Sequence, residues 1–180
     1  MIEEYFQKLQ QGMQVLTQGP AFSSLCKLLE EARQSSRQVF FAGNGGSAAN
    51  ANHLATDLIY GVGLGGKGTF RVHSLSANAS VMTCLGNDTG YEHVFSRQLE
   101  ALAQAGDLVL AFSGSGNSPN ILRLLESARR MKATSFSFLG FDGGKAKALS
   151  DHCLHFPIHD MQVVEDLHMV AGHLAMKALR

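Results

Sequence analysis

Residues 38–58 read QVFFAGNGGSAANANHLATDL, and this stretch decides the fold. Val39 to Ala42 form a short apolar run, rich in aromatic and β-branched residues, of the kind a buried strand needs. Glycines at 43, 45 and 46 break the run, and a small-residue segment of helical character follows from Ser47. A strand that enters a helix through a glycine turn is the opening of a βαβ unit, which points to a parallel sheet with crossover helices.

Outward from this stretch the pattern repeats. Strands are expected at Val39 to Ala42, Phe70 to Leu75, Leu108 to Phe112, Thr134 to Leu139 and, more weakly, Cys153 to Phe156. Helices are expected over about 47–60, 78–86, 91–104, 117–131 and 161–179. Ahead of them, Ile2, Tyr5, Phe6, Leu9, Met13 and Leu16 recur at helical spacing. Pro20 then opens a second helix, through Phe22, Leu25, Leu28, Leu29 and Ala32, which the polar run Gln34 to Arg37 ends. The expected fold is therefore α/β, one domain over 1–180. A doubly wound α/β/α sandwich with a mainly parallel four- to five-stranded sheet spans 37–180, and two N-terminal helices within 1–36 serve packing or subunit contact. Gly61 to Gly68, reading GVGLGGKG, is expected to be a loop on the side away from the strand carboxyl ends.

Composition removes several function classes. Lys plus Arg and Asp plus Glu are 15 each in 180 residues, with no basic run, so nucleic acid is not an expected ligand. Cys26, Cys84 and Cys153 are odd in number and outside any CxxC spacing, as suits core residues of a reducing compartment. The start MIEEYFQK carries acids where a signal peptide would carry basic residues, and no apolar run approaches the length of a membrane span. The expected location is the cytoplasm.

In a doubly wound sheet, ligands bind beyond the strand carboxyl ends. Two loops there can take an anion. Asn44, Gly45 and Gly46 open the backbone to a ligand, with Ser47 as the expected cap of the following helix. Ser113-Gly114-Ser115-Gly116-Asn117-Ser118-Pro119 offers three hydroxyls and two glycines at a helix start. Hydroxyls, loop N–H groups and a helix dipole of about half a charge can hold a phosphate without Lys or Arg. Neither loop has a GxxxxGK[ST] or GxGxxG pattern, which disfavours nucleotides and leaves a small phosphorylated metabolite.

The groups with chemistry are few. His53 and Asp57 lie four apart on one helix face, able to seat a divalent metal, to orient an acid or base, or simply to hydrogen-bond. Asn87 and Asp88 end a helix before Gly90, a common helix stop. On the last helix Glu165 and His173 are eight residues apart, about 80° around the axis and about 12 Å along it, a spacing that permits a shared site without demanding one. His168 faces neither, as a buried or subunit-contact histidine would.

The stretches GNGGSAANANHLATDL at 43–58, GNDTGYEHVFSRQLEAL at 86–102, SGSGNSPNIL at 113–122 and VVEDLHMVAGH at 163–173 together resemble the sugar isomerase (SIS) domain family, over about the whole chain. The resemblance implies a ketose–aldose isomerase that converts sedoheptulose 7-phosphate to a D-glycero-D-manno-heptose 7-phosphate through an enediol. It implies a homotetramer with sites between subunits. Carried over by position, Asn44, Gly45, Gly46 and Ser47, with Asn87 and Asp88, would touch the sugar. Ser113, Gly114, Ser115 and Ser118 would grip the phosphate. A zinc would sit between His53, Asp57, Glu165 and His173, Glu165 also meeting substrate, with His173 and Asp57 as the proton-transfer groups. The best-known heptose-phosphate members carry glutamate in place of Asp57 and glutamine in place of Glu165. The resemblance also admits a non-catalytic scaffold that binds a replication-initiator protein, and an isomerase of a different sugar phosphate.

Overall fold

The computed structural model describes residues 1–62 and 68–180; most of the expected Gly61–Gly68 loop lies outside the described residues. Two helices, α1 (Ile2–Gln18) and α2 (Ala21–Gln34), precede β1 (Gln38–Gly43). Then follow α3 (Gly46–Thr56) with a π-helical turn Asp57–Val62, β2 (Arg71–Ser74), α4 (Ala79–Asp88), a 3-10 turn Tyr91–His93 and α5 (Ser96–Leu102). The chain continues through β3 (Leu108–Ser113), α6 (Pro119–Met131), β4 (Thr134–Leu139), α7 (Ala146–Leu149), β5 (His152–His155) and α8 (Met161–Ala178).

The five strands form one parallel sheet in the order β2-β1-β3-β4-β5, so the winding reverses between β1 and β3. Strand alternation divides the core into two layers. Val39, Phe41, Leu108, Leu110, Phe112 and Phe138 face α1, α2, α3 and α8. Phe40, Ala42, Val109 and Ala111 face α5, α6 and α7. The first layer stacks Phe41 on Phe112 at 6.2 Å and Phe112 on Phe138 at 4.3 Å between ring centres. Each such buried phenylalanine stabilises the fold by roughly 1.5–3 kcal/mol.

The α/β sandwich matches the expectation; several details do not. The helix expected at 47–60 stops being α-helical at Thr56 and widens into a π turn that begins at Asp57. Ser47 is not the helix cap: the cap position is Gly45, at φ 54°, so Ser47 is buried in the first turn. The helix expected at 91–104 is split, because Gly90 at φ 97° starts a 3-10 turn and Val94 and Phe95 must first enter the core. The four-residue α7 is too short to show a period. Cys84 is exposed rather than in the core, since α4 buries none of its residues, while Cys26 and Cys153 pack against the two core layers.

The stripe of α1 also divides. Tyr5, Leu9 and Leu16 pack on the core, whereas Ile2, Phe6 and Met13 remain exposed on the adjoining face. Tyr5 Oη donates to Asp166 Oδ2 at 2.6 Å and Lys8 Nζ pairs with Asp160 at 3.0 Å, which ties α1 to α8.

Candidate active site

The two loops singled out above flank the point where the winding reverses. Gly43 at the end of β1 is in register with Phe112 near the end of β3, so Asn44–Gly46 and Ser113–Ser118 leave the sheet side by side. Asn44 Nδ2 donates to Asn120 Oδ1 at 2.8 Å, and Asn120 Nδ2 donates back to Asn44 Oδ1 at 2.8 Å. Tyr91 Oη adds a third bond to Asn44 Oδ1 at 3.1 Å. Asn120 is buried at 2% exposure, in the first turn of α6, and its link to Asn44 holds the two loops together. Sequence reasoning passed over both Asn120 and Tyr91, because an amide one position past a helix-opening proline carries no motif signal.

In the serine loop, Ser113 Oγ accepts from Gly116 N at 3.1 Å and Ser115 Oγ accepts from Asn117 N at 3.2 Å. Each hydroxyl keeps its proton to donate to a ligand. Ser118 is the cap residue of α6 but makes no side-chain cap bond, and Pro119 occupies the first helical position. All three serines precede the first turn of α6, whose free N–H groups are the kind of donors an anion takes.

His53, Asp57 and His173 converge on a second place. His53 Nε2 and His173 Nε2 are 2.9 Å apart, and each lies 3.5 Å from Asp57 Oδ2. Donors about 2.0–2.1 Å from one tetrahedral ion are themselves about 3.3 Å apart, so these three atoms fit a divalent metal, and two nitrogens with a carboxylate are a donor set that zinc accepts. The approach rests on glycine. A Cβ at Gly172 would collide with Leu54, so α8 can lie close against α3 and bring His173, next to Gly172, onto His53, next to Leu54. The histidine side chains are 51% and 47% exposed, and the neighbouring Ile59, Tyr60 and Leu174 are exposed apolar residues.

Glu165 stands apart from this group. Its carboxylate packs where a Cβ of Gly46 would be, beside the first loop, and its carbonyl accepts from Asn50 Nδ2 at 2.8 Å. Two turns of α8 separate it from His173, which is the axial distance the spacing implied. Asn87 and Asp88 end α4 and bond to each other at 2.7 Å; the Asp88 carboxylate also accepts from the Cys84 thiol and raises its pKa. His168 is the buried histidine of the two alternatives, with its ring against Phe112, Phe138 and Phe156.

Comparison with known proteins agrees with this architecture. A family model described as the SIS domain matches residues 4–139. A phosphoheptose isomerase of Pelobacter propionicus is 39% identical over 162 residues, covering 86% of this chain and 82% of that protein. That of Trichlorobacter lovleyi is 40% identical over 152 residues, covering 84% and 77%. The solved phosphoheptose isomerase GmhA of Neisseria gonorrhoeae superposes with a TM-score of 0.90 at 28% identity, over 99% of this chain and 94% of that one. Family match, relatives and fold agree, and the chain belongs to the SIS domain family.

Proposed function

We propose that the chain is a phosphoheptose isomerase, interconverting sedoheptulose 7-phosphate and D-glycero-D-manno-heptose 7-phosphate on the way to nucleotide-activated heptose. The observation that carries this reading is the convergence of His53, Asp57 and His173, in a chain whose relatives at 36–40% identity are named phosphoheptose isomerases. A scaffold has no use for such a cluster.

The serine loop and the α6 N-terminus hold the phosphate. Asn44, Gly45 and Gly46, held in place by Asn120, meet the sugar hydroxyls together with Ser47, Asn87, Asp88 and the carboxylate of Glu165. The ketose-to-aldose shift removes a proton from C1, passes through a 1,2-enediol and returns a proton to C2, while a hydroxyl proton moves from O1 to O2. Asp57 and His173 are the groups for those transfers. His53, Asp57 and His173 would hold a zinc ion, with Glu165 joining them only when its side chain leaves Gly46. When bound, zinc supplies Lewis-acid polarisation of the sugar oxygens. An imidazole nitrogen that ligates a metal carries no proton, so His173 then works through Nδ1.

The half-exposed cluster, with Ile59, Tyr60 and Leu174 beside it, supports a site completed by a neighbouring subunit. The exposed Ile2, Phe6 and Met13 of α1 support use of the N-terminal helices in a homotetramer. No helix among the described residues is long and apolar enough to cross a membrane. The cytoplasm is the proposed place of action, argued from the substrate, a soluble metabolite. A panel of five-, six- and seven-carbon ketose phosphates, with and without a chelator, tests the assignment. Turnover confined to the seven-carbon substrate and lost on chelation is expected; preference for a shorter ketose refutes the substrate.

A further inference from the structure

The loop after β4, Gly140-Phe141-Asp142-Gly143-Gly144-Lys145, lies directly against the serine loop, and no motif drew attention to it. Three hydrogen bonds join the two. Gly140 N donates to Gly114 O at 2.9 Å, Ala146 N donates to Gly116 O at 2.9 Å, and Lys145 N donates to Asn117 Oδ1 at 3.1 Å. The backbones meet glycine to glycine. A Cβ on Gly116 would collide with Gly143 O, and a Cβ on Gly144 would come within 2.6 Å of the Gly116 carbonyl.

The loop is held in a costly conformation. Phe141 sits at φ 47°, a left-handed geometry that a bulky residue adopts only when its surroundings impose it, and Gly143 and Gly144 follow at φ 84° and 53°. Phe141 is fixed from three directions. Its N–H donates to Ile158 O at 3.2 Å, its carbonyl accepts from His155 Nε2 at 2.8 Å, and its ring meets His159 edge-to-face at 5.2 Å. Lys147 Nζ, 3.2 Å from His155 Nδ1, donates to that nitrogen and so leaves the proton on Nε2.

We propose that residues 140–146 are a clamp that sets the shape of the serine loop, with Gly144 and His155 as positioning residues for phosphate binding. The clamp acts through its backbone: it occupies the Gly114, Gly116 and Asn117 acceptors of the serine loop, so that the loop's donors stay in the arrangement an anion needs. The proposal rests on the reading of Ser113–Ser118 as the phosphate site.

The test measures binding of inorganic phosphate by calorimetry, with metal content and thermal midpoint recorded for each variant. Gly144→Ala should weaken phosphate binding about tenfold or more, and His155→Ala about three- to tenfold, with metal content unchanged. His155→Gln, which keeps a donor for the Phe141 carbonyl, should restore most of the loss. Gly106→Ala is the control: it too puts alanine at a positive φ, 89°, but at the opposite end of the sheet and against only the flexible Arg37 side chain, and should cost stability without changing phosphate affinity. Should Gly144→Ala not fold, the His155 pair decides. Wild-type affinity in the folded Gly144 and His155 variants overturns the clamp. Phosphate binding that Ser115→Ala leaves unchanged, or no binding to the wild type, overturns the phosphate site itself and the clamp with it.

Discussion

Asn44 and Asn120 exchange two side-chain hydrogen bonds of 2.8 Å across the reversal point of the sheet, and so tie the glycine loop after β1 to the start of α6 behind the serine loop. Asn120→Ala removes one amide of this pair and leaves the other facing a buried gap. The variant should lose about 1–3 kcal/mol of stability in denaturant unfolding. Its KM for a sugar phosphate should rise more than its kcat falls, because a displaced Asn44 weakens binding before it touches proton transfer.

Gly172 permits the contact between α3 and α8 that joins His53 to His173. Gly172→Ala forces a methyl onto the buried Leu54 and should destabilise the protein by about 1–3 kcal/mol. The same displacement should lower zinc affinity, read by competition with a chromogenic chelator. Unchanged zinc binding in a folded Gly172→Ala protein would show that the glycine matters for packing alone.

Asp57 Oδ2 stands at the same 3.5 Å from both histidine nitrogens, so the shorter aspartate already reaches the pair. His53→Ala and Asp57→Ala should each reduce bound zinc well below one ion per chain, measured by elemental analysis, with little change in circular dichroism. Chelation of the wild-type protein should remove activity, and zinc should restore it.

Burial pushes the pKa of His168 down to about 4, offset only in part by the Leu139 backbone, whose contact is too poor to give either ring nitrogen a hydrogen-bond partner. The folded protein therefore holds this imidazole neutral while the unfolded chain protonates near pH 6.5. Protonation favours the unfolded chain, so the contribution of His168 to stability is intact above about pH 6.5. It declines as pH falls towards 4, by up to roughly 3 kcal/mol. His168→Leu should flatten the acid limb of a stability–pH curve and, since no hydrogen bond is lost, leave neutral-pH stability little changed.

What was legible in the sequence was whatever repeats or clusters along the chain. Continuous apolar runs ending in glycine or serine placed Val39–Ala42 and Leu108–Phe112 in the sheet, and the three hydroxyls at 113, 115 and 118 marked a loop that does open α6 beyond a strand end. Relations between distant segments were not legible. Asn120 meets Asn44 across 76 positions, and the 140–146 clamp acts through backbone groups that any residue carries. The π turn at Asp57 also left no trace, because helical periodicity averages over a local widening. Glu165 shows the same limit from the other side: its spacing to His173 allowed a shared site, and only the packing against Gly46 shows where its carboxylate lies.

The most direct test of the account is to incubate the zinc-loaded protein with sedoheptulose 7-phosphate in deuterium oxide and follow the sugar by NMR. The expected product is an aldoheptose 7-phosphate carrying solvent deuterium at C2, formed by the wild-type protein and reduced to background by His173→Ala. A folded, zinc-loaded protein that yields no aldose from this substrate would contradict it.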